Sequence, residues 1–303
     1  MGPSGSGKTT LMNAIAGRVK KSKNIQLSGS RYINGEQIAG DVQVPAAFIE
    51  QESIFFPQMT VKETLDFRVE LKIGSKLGKS AKDDIVANLM ETLGLEKVAN
   101  TKVGSARVRG ISGGERKRLS IACEMISSPS VIFLDEPTSG LDSFQAEQVV
   151  ATMRKVADSG KTVIAVIHQP SQRVFSMFDD LLLLSEGKQM YFGNLKKVRS
   201  YFQSIGYGAP LEVGTAEHVL DKISRVTGND TVETESTKRL DTIATYARNE
   251  AKMLVCDHQG KSSQKKRDLG GASKIWPAAG IFRQFILLLT RSLREVFRGE
   301  FLC

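Results

Sequence analysis

The spacing of apolar residues changes along the chain, and each spacing predicts one type of element. Leu11 and Ile15 lie four positions apart before Gly17, which predicts a helix that ends at this glycine. Helical spacing also runs through residues 61–95. Short apolar runs bounded by breakers predict buried, parallel-type strands at residues 131–134, 163–167 and 181–184. Strands that alternate with helices in this way predict an α/β fold.

Two hairpins add a small antiparallel part to this pattern. Residues 25–27 and 31–33 predict the first hairpin, which Asn34-Gly35 closes. The run at 181–184 turns through Glu186-Gly187 into residues 190–192, which predicts the second hairpin.

The C-terminal quarter has a different pattern. Residues 257–273 are polar with a cluster of basic side chains, which predicts a solvated linker or, less often, a contact with lipid or RNA. From residue 281 to 301, apolar positions recur at spacings of three and four with arginines between them. This spacing predicts a basic amphipathic helix, either at a membrane surface or packed as an ordinary surface helix.

Composition excludes several classes of protein. The chain has 303 residues, 41% hydrophobic and 25% charged, which is typical of a globular protein. Its three cysteines form no C-x-x-C pair, so we expect no disulfide scaffold or zinc ribbon. No uncharged apolar run approaches the roughly 18 residues of a membrane span, and we expect no signal peptide. The net charge of +9 predicts an acidic partner, which could be nucleic acid, anionic lipid or nucleotide phosphate.

The N-terminus carries a phosphate-binding pattern. Gly2-Pro3-Ser4-Gly5-Ser6-Gly7-Lys8-Thr9 fits G-x-x-x-x-G-K-[ST], and Thr10 follows in the predicted helix. The glycines let backbone N–H groups surround a phosphate, and the helix adds its positive end. Lys8 is expected to neutralise the β- and γ-phosphates of ATP, and the Thr9 hydroxyl to bind Mg²⁺. The alternative is a simple glycine-rich turn, because such a loop normally follows a buried strand and only Met1 precedes it here.

A pair of acids follows the predicted strand at 131–134. A hydrophobic strand that ends in a carboxylate brings an acid to the metal of P-loop NTPases, so Asp135 is a candidate Mg²⁺ ligand. Glu136 comes next and could polarise an attacking water. The pair could also be plain surface charge, but together with the glycine loop it indicates a P-loop NTPase.

The stretch between these motifs resembles the signature sequence of the ATP-binding cassette (ABC) superfamily: Ile111-Ser112-Gly113-Gly114-Glu115-Arg116-Lys117-Arg118. Ser112 and its glycines open a helix whose N–H groups could bind a γ-phosphate, although such a sequence alone is more often a helix cap. The resemblance implies that Ser112, Gly113 and Gly114 bind the nucleotide held by a second copy, so that two copies enclose two ATP molecules.

Three further motifs follow the family's order. The resemblance implies that Gln51 is the Q-loop glutamine, which contacts Mg²⁺ and couples to the membrane domain, and that residues 139–142 form the D-loop. His168 is similarly placed to the switch histidine that senses the γ-phosphate. A lone histidine at a strand end is usually structural, and its position after the acid pair favours the catalytic role.

Longer stretches are similar to the G (white/pigment-type) subfamily: residues 60–67, 111–118, 135–142, 167–170 and 191–193. This resemblance covers nearly the whole chain and implies a half-size member truncated at both ends. The implied fold is α/β, a P-loop NTPase (RecA-like) core of mixed sheet with an inserted α-helical signature subdomain and a small antiparallel β part. Residues 214–218 depart from the family's pattern, so no role is transferred to them.

We predict five segments from this resemblance. They are a first part of the ATPase core with the P-loop and Q-loop (1–56), a helical signature subdomain (57–125), a second part of the core (126–195), a C-terminal extension and polar linker (196–275), and an amphipathic connecting helix (276–303).

The resemblance implies an ATP- and Mg²⁺-dependent ATPase on the cytoplasmic side of a membrane, which powers export of a lipid-like or other hydrophobic or amphipathic substrate. The expected partners are a second nucleotide-binding domain, in a homo- or heterodimer, a transmembrane domain in the full-length chain, and the membrane surface through the basic helix. No specific nucleic acid is expected. The alternatives are a soluble ABC-type ATPase that acts on nucleic acid or ribosomes, and an inert truncated fragment.

Overall fold

The computed structural model describes residues 1–19, 25–33, 36–38, 46–74, 77–210, 212–226, 228, 230–259 and 279–299. The chain divides into two compact units, a first unit of Met1–Val44 with Val166–Gly270 and a second unit of Pro45–Ala165 with Gly271–Cys303. The Asn34-Gly35 turn and residues 260–273 of the predicted linker lie outside the described residues. The units cut across the five predicted segments, whose bounds stay a prediction.

The helices of the described part are α1 (Lys8–Ala16), α2 (Val61–Ile73), α3 (Lys79–Leu93), α4 (Gly113–Met125), α5 (Ser143–Asp158), α6 (Gln172–Ser176), α7 (Val198–Ser204), α8 (Thr215–Ile223), α9 (Asp230–Gln259) and α10 (Ile281–Gly299). Short 3₁₀ turns occupy Glu96–Val98 and Leu195–Lys197. The strands are β1 (Arg31–Ile33), β2 (Glu36–Ile38), β3 (Ala46–Ile49), β4 (Val131–Asp135), β5 (Thr162–Val166), β6 (Asp180–Ser185) and β7 (Lys188–Asn194).

The second unit is built on a sheet of order β3-β4-β5. β3 and β4 run parallel with Ile49 opposite Leu134, so both strands end at the same edge of the sheet. Helices α3 and α4 each contact the other and both α2 and α5, and α4 also contacts β3. The helical prediction for residues 61–95 is confirmed as α2 and α3, with Gly74 at the end of α2 in a left-handed conformation (φ 66°).

A regular apolar stripe explains why α2 packs where it does. Its buried residues include Val61, Leu65, Val69 and Ile73, which recur every four positions. Thr60 starts the helix with a capping box, in which its side chain accepts from the N–H of Glu63 and the Glu63 carboxylate accepts from the N–H of Thr60. The cap fixes where the helix begins, and the stripe fixes which face is buried.

The first unit contains the predicted second hairpin, which is confirmed as β6 and β7 in antiparallel register from Asp180–Asn194 to Ser185–Lys188. The sequence predicted residues 181–184 as a parallel-type strand, but the partner along its length is β7, because an apolar run specifies burial and not the direction of a neighbour. Helix α9 packs along β7. The apolar core between them includes Tyr191, Phe202 and Ile243.

The first predicted hairpin has a different pairing from the one expected. Arg31–Ile33 pairs with Glu36–Ile38, so the two strands flank residues 34–35 instead of preceding them. Asn-Gly is the most typical two-residue hairpin connection, which favours strands on either side of this dipeptide over strands that precede it. Among the described helices, none combines the length and the apolar character of a membrane span.

Candidate active site

The phosphate-binding loop runs directly into α1, which begins at Lys8. Gly2, Gly5 and Gly7 have φ angles of 154°, 74° and 90°, a region that residues with a Cβ rarely adopt. At Gly2 the constraint is also steric, because a Cβ there would lie 2.0 Å from the carbonyl oxygen of Leu184. The loop therefore needs glycine both for its conformation and for its contact with β6.

Two polar side chains are enclosed by this loop. Nζ of Lys8 donates to the carbonyl oxygens of Gly2 at 3.0 Å and Pro3 at 2.6 Å. Ser6 is 2% exposed, and its Oγ has no hydrogen-bond partner among the described residues. A buried hydroxyl without a hydrogen-bond partner destabilises a protein by about 1–3 kcal/mol, and a bound ligand that forms a hydrogen bond with it would offset this loss. With the ammonium and the positive end of α1, this donor set fits the phosphates of a nucleotide.

The loop is braced by the neighbouring hairpin of the same unit. The N–H of Gly187, in the turn between β6 and β7, donates to the carbonyl oxygen of Ser6 at 3.2 Å. The amino nitrogen of Met1 donates to Leu182 O at 2.7 Å, and the N–H of Leu184 donates to Met1 O at 2.9 Å. This is the bonding pattern of parallel strands. Met1 therefore occupies the position beside β6 at which a strand before the loop was expected.

The second unit brings together the acid pair, the Q-loop and the D-loop. Asp135 ends β4, and Glu136 follows in a left-handed conformation (φ 44°). Because β3 and β4 end at the same edge, Gln51 leaves β3 beside these acids, and its Nε2 donates to Oε2 of Glu136 at 3.2 Å. The same nitrogen donates to Oγ of Ser139 at 3.2 Å. Gln51 and Glu136 are therefore neighbours at this edge of the sheet.

The oxygen atoms on these residues suit Mg²⁺, which prefers carboxylate, amide and hydroxyl oxygens with water and phosphate in its remaining positions. Gln51 donates through Nε2, so Oε1 is the amide atom that could bind the ion. Asp135 offers a carboxylate at the end of β4. Thr9 carries a hydroxyl in the first turn of α1, but it belongs to the first unit, so its part in a Mg²⁺ site stays a prediction. In the described part of the chain no three His, Cys, Asp or Glu side chains cluster as a metal site by themselves.

The signature residues begin α4 at the surface of the second unit. Ser112 caps the helix and forms a capping box with Glu115, whose Oε2 accepts from the N–H and the Oγ of Ser112 at 2.8 Å each. A Cβ on Gly113 would lie 2.9 Å from Cδ2 of Leu141, and one on Gly114 would lie 3.3 Å from Cβ of Gln145. The glycines therefore allow the signature to pack against the D-loop and the start of α5.

A tight loop precedes the signature. A Cβ on Gly110 would lie 2.3 Å from the carbonyl oxygen of Val103, and one on Gly104 would lie 2.6 Å from the Cα of Gly110. The N–H of Ile111 donates to Lys102 O at 3.1 Å. This backbone contact fixes the approach of the chain to Ser112.

The remaining predicted residue, His168, is exposed two positions after the end of β5. It belongs to the first unit, whereas Glu136 belongs to the second, so its sensing role stays a prediction. Within the segment to which no role was transferred, His218 is buried and a ring nitrogen lies 2.9 Å from Tyr207 O. That contact explains His218 as a structural residue.

Sequence reasoning missed two side chains of α4 that contact the Q-loop. Lys117 is 7% exposed and donates through Nζ to the carbonyl oxygens of Glu50 at 3.0 Å and Gln51 at 2.8 Å. Ser120 forms a 2.7 Å hydrogen bond with Ser53. The signal from which sequence reasoning could have predicted these contacts is the position of Lys117, three residues before Ser120 on the inward face of the helix.

Helix α10 packs against the protein through its basic face, whereas an ordinary surface helix packs through its apolar face. Its arginines contact the second unit: Arg283 pairs with Glu70, Arg298 pairs with Glu63, and the guanidinium carbon of Arg291 lies 4.0 Å from the ring centroid of Phe56. Several of its described apolar side chains are exposed, including Phe282, Phe285, Ile286, Leu289 and Leu293. The helix is therefore packed, as the second interpretation expected, but by its basic side.

Comparisons with known proteins agree with this geometry. A family model described as "ABC transporter" matches residues 1–139, and one described as "ABC-2 type transporter" matches residues 168–249. ABC transporter G family member 7 of Arabidopsis thaliana is 42% identical over 302 residues, which cover 98% of this chain and 42% of that protein. ABC transporter G family member 14 of the same plant is 38% identical, over 97% of this chain and 46% of that protein. The chain thus spans less than half of the length of these relatives.

A solved structure supports the fold alone. It is the crystal structure of the ADP conformation of an ATP-binding cassette of an ABC transporter, with a TM-score of 0.52 and 22% identity over 66% of this chain and 82% of that one. The mixed P-loop NTPase fold expected from the sequence is confirmed. With the loop of Lys8, the acid pair and the signature in place, the chain belongs to the ABC transporter family, in its G branch, and carries an ATP-binding domain of the ATPase class.

Proposed function

We propose that this chain is the ATP-hydrolysing part of a G-type exporter that moves a lipid-like or other hydrophobic or amphipathic substrate across a membrane. The observation that carries the proposal is the contact of Gln51 with both Glu136 and Ser139. It joins the Q-loop, the acid pair and the D-loop around one carboxylate. Three separate motifs thus supply a glutamine, a glutamate with a left-handed backbone conformation and a serine to one set of contacts. A cluster of plain surface charge does not require this combination.

The chemistry assigned to each residue follows from its position. Residues 2–10 hold the triphosphate through backbone N–H groups and the ammonium of Lys8. Thr9, Gln51 and Asp135 are the proposed Mg²⁺ ligands, and the ion would supply charge neutralisation on the phosphates. Glu136 orients the attacking water and accepts its proton, and His168 senses the γ-phosphate. The left-handed backbone at Glu136 directs its carboxylate toward Gln51.

The signature points to a second copy or a related domain as partner. Ser112 and Gly113 are exposed at the N-terminal end of α4, where helix N–H groups favour an anion. In the proposed homo- or heterodimer, Ser112, Gly113 and Gly114 complete the nucleotide site of the opposite domain. Closure of the two domains on ATP would then place each signature on the partner's γ-phosphate.

Coupling to a transmembrane domain is proposed to pass through α10. Its Arg298 and Arg283 hold it to Glu63 and Glu70 of α2, which follows the Q-loop in the chain. Movement of the Q-loop and α2 would therefore be transmitted to α10.

The membrane surface is the proposed partner for the outer face of α10, on the cytoplasmic side. The side chain of Phe282 is 77% exposed and that of Phe285 is 61% exposed, a pattern suited to the boundary between headgroups and acyl chains. Three arginines of this helix contact protein side chains. These pairings account for part of the positive charge on which the alternative of a soluble ABC-type ATPase acting on nucleic acid or ribosomes depends.

The substitution Glu136→Gln tests the proposed function. We expect the variant to bind ATP as the unsubstituted chain does and to hydrolyse it about 10²- to 10⁴-fold more slowly, the usual contribution of a general base. Glu91→Gln, at an exposed position of α3, is the matched control and should leave turnover unchanged. Binding is followed with a fluorescent ATP analogue and turnover by phosphate release. Near-normal turnover of the Glu136 variant would refute the assignment.

A further inference from the structure

Helix α4 begins at the signature, and one face of it holds the Q-loop. Nζ of Lys117 donates to the carbonyl oxygens of two consecutive residues, Glu50 at 3.0 Å and Gln51 at 2.8 Å. Burial lowers the pKa of Lys117, and the nearby carboxylate of Asp135 opposes this shift. A buried ammonium needs such acceptors, because a charged group without partners inside a protein is strongly destabilising.

A second contact lies one turn further along the same face. Ser120 follows Lys117 by three positions, which places the two side chains next to each other on a helix. Its Oγ forms a 2.7 Å hydrogen bond with Oγ of Ser53, two residues after Gln51. The backbone that carries Gln51 is thus held at two points by the signature helix.

These contacts matter because the Q-loop has left the sheet. β3 ends at Ile49, so residues 50–53 lie beyond the strand pairing that fixes residues 46–49. The side chain of Gln51 is exposed, yet its amide contacts Glu136 and Ser139 at 3.2 Å each. The direction of this amide depends on the backbone beneath it, and Lys117 binds that backbone.

We propose that Lys117 is a positioning residue for ATP hydrolysis, which fixes the Q-loop backbone so that the amide of Gln51 stays against Glu136. This inference rests on the proposed roles of Gln51 and Glu136. In this role Lys117 acts through Gln51, whose carbonyl oxygen its Nζ contacts. Because Lys117 lies in the helix that Ser112 starts, its side chain links the signature helix to the Q-loop backbone.

A double-mutant cycle tests the inference. Lys117→Met keeps the length of the side chain and removes its donors, and we expect kcat to fall about 10-fold with little change in KM for ATP, the lower end of the range for outer-shell residues. Because Lys117 acts through Gln51, adding Lys117→Met to Gln51→Ala should lower kcat by less than about 2-fold further. Lys117→Arg, which retains donors, should recover part of the loss.

Lys161→Met is the matched control. Lys161 also donates from a partly buried Nζ to a backbone carbonyl, that of Pro129 at 2.9 Å, but it lies away from the Q-loop in the same unit. This variant should keep the kcat of the unsubstituted chain.

Hydrogen–deuterium exchange gives a readout that does not depend on activity. In Lys117→Met, amide exchange should increase in a peptide that spans residues 50–53 and stay unchanged in peptides of α4 and α5, which also checks that the variant is folded. Unchanged exchange at residues 50–53 would overturn the inference. So would a Lys117→Met substitution that lowers kcat by the same factor in the Gln51→Ala variant as in the unsubstituted chain. Normal turnover of Glu136→Gln would instead refute the proposed function, and the exchange result would still report whether Lys117 holds the loop.

Discussion

Arg298 and Glu63 form a two-point ion pair, in which Nη1 of Arg298 donates to Oε2 of Glu63 at 2.8 Å and Nη2 donates to Oε1 at 2.9 Å. The same carboxylate accepts from the N–H of Thr60 at 3.0 Å and so completes the cap of α2. One side chain thus defines where α2 begins and where α10 docks. A planar guanidinium fits this arrangement, whereas an ammonium could satisfy only part of it.

The first prediction concerns the docking of α10. Arg298→Met should release the C-terminal half of α10 and increase its amide exchange about 10-fold, since the pair is only partly exposed and bidentate. Arg298→Lys should give an intermediate rate. Arg294→Met is the control, because its Nη1 lies 3.9 Å from Glu63, beyond hydrogen-bond distance. Equal exchange in the two methionine variants would contradict the importance of the two-point pair.

The second prediction is a pH dependence. The hydrogen bonds from Arg298 lower the pKa of Glu63 to about 2, from an ordinary value near 4.5. Because the folded pKa is depressed, the stabilisation is complete above about pH 4.5 and is lost as the pH falls toward about 2. The difference in melting temperature between the unsubstituted chain and Glu63→Gln should therefore shrink between neutral pH and about pH 3.5. A constant difference over this range would show that the charge of Glu63 is not involved.

The third prediction concerns the loop before the signature. Gly110→Ala places a Cβ 2.3 Å from the carbonyl oxygen of Val103, and backbone atoms cannot move aside as a side chain can. We expect it to lower stability by about 1–3 kcal/mol, the usual cost of overpacking, in chemical denaturation. Gly78→Ala is the control, since the structure places no atom within 4 Å of its Cβ. Equal stability of the two variants would contradict the tight loop.

The fourth prediction concerns the outer face of α10. Replacing both Phe285 and Leu289 by serine should weaken binding of the chain to vesicles with anionic lipid by at least about 10-fold, because each large apolar side chain contributes about 1.5–3 kcal/mol when fully buried. Phe144→Ser provides the control, since Phe144 is an exposed aromatic residue (71%) on α5. Vesicle sedimentation measures the binding. Unchanged binding of the double variant would exclude this face as the membrane contact.

Much of the fold and site could be predicted from local sequence. The strands at Val131–Asp135 and Thr162–Val166 were predicted to within one residue at each end, because short apolar runs between breakers leave few alternatives. Motif order identified Gln51 and Glu136 as candidates one at a time, and the parallel register of β3 and β4 explains why the two residues are neighbours.

What could not be predicted depends on contacts between distant residues. Lys117 donates to backbone carbonyls 66 and 67 positions away. Every residue type has the same backbone carbonyl, so the sequence does not indicate which carbonyls a lysine binds. The sequence left open whether α10 lies at a membrane surface or packs as an ordinary surface helix, because the acceptors of its arginines, Glu63 and Glu70, lie more than 200 residues earlier. Periodicity predicts that a helix has two faces; it does not specify which face the protein covers.

The close contact of Gly113 and Gly114 with Leu141 and Gln145 has a consequence for engineering. A Cβ at position 113 requires Cδ2 of Leu141 to move, and a Cβ at position 114 requires the side chain of Gln145 to shift by a few tenths of an ångström. A library that randomises the signature alone will therefore favour small residues at these two positions. A library that varies the two stretches together, with smaller residues at 141 and 145, opens combinations that no single substitution can reach.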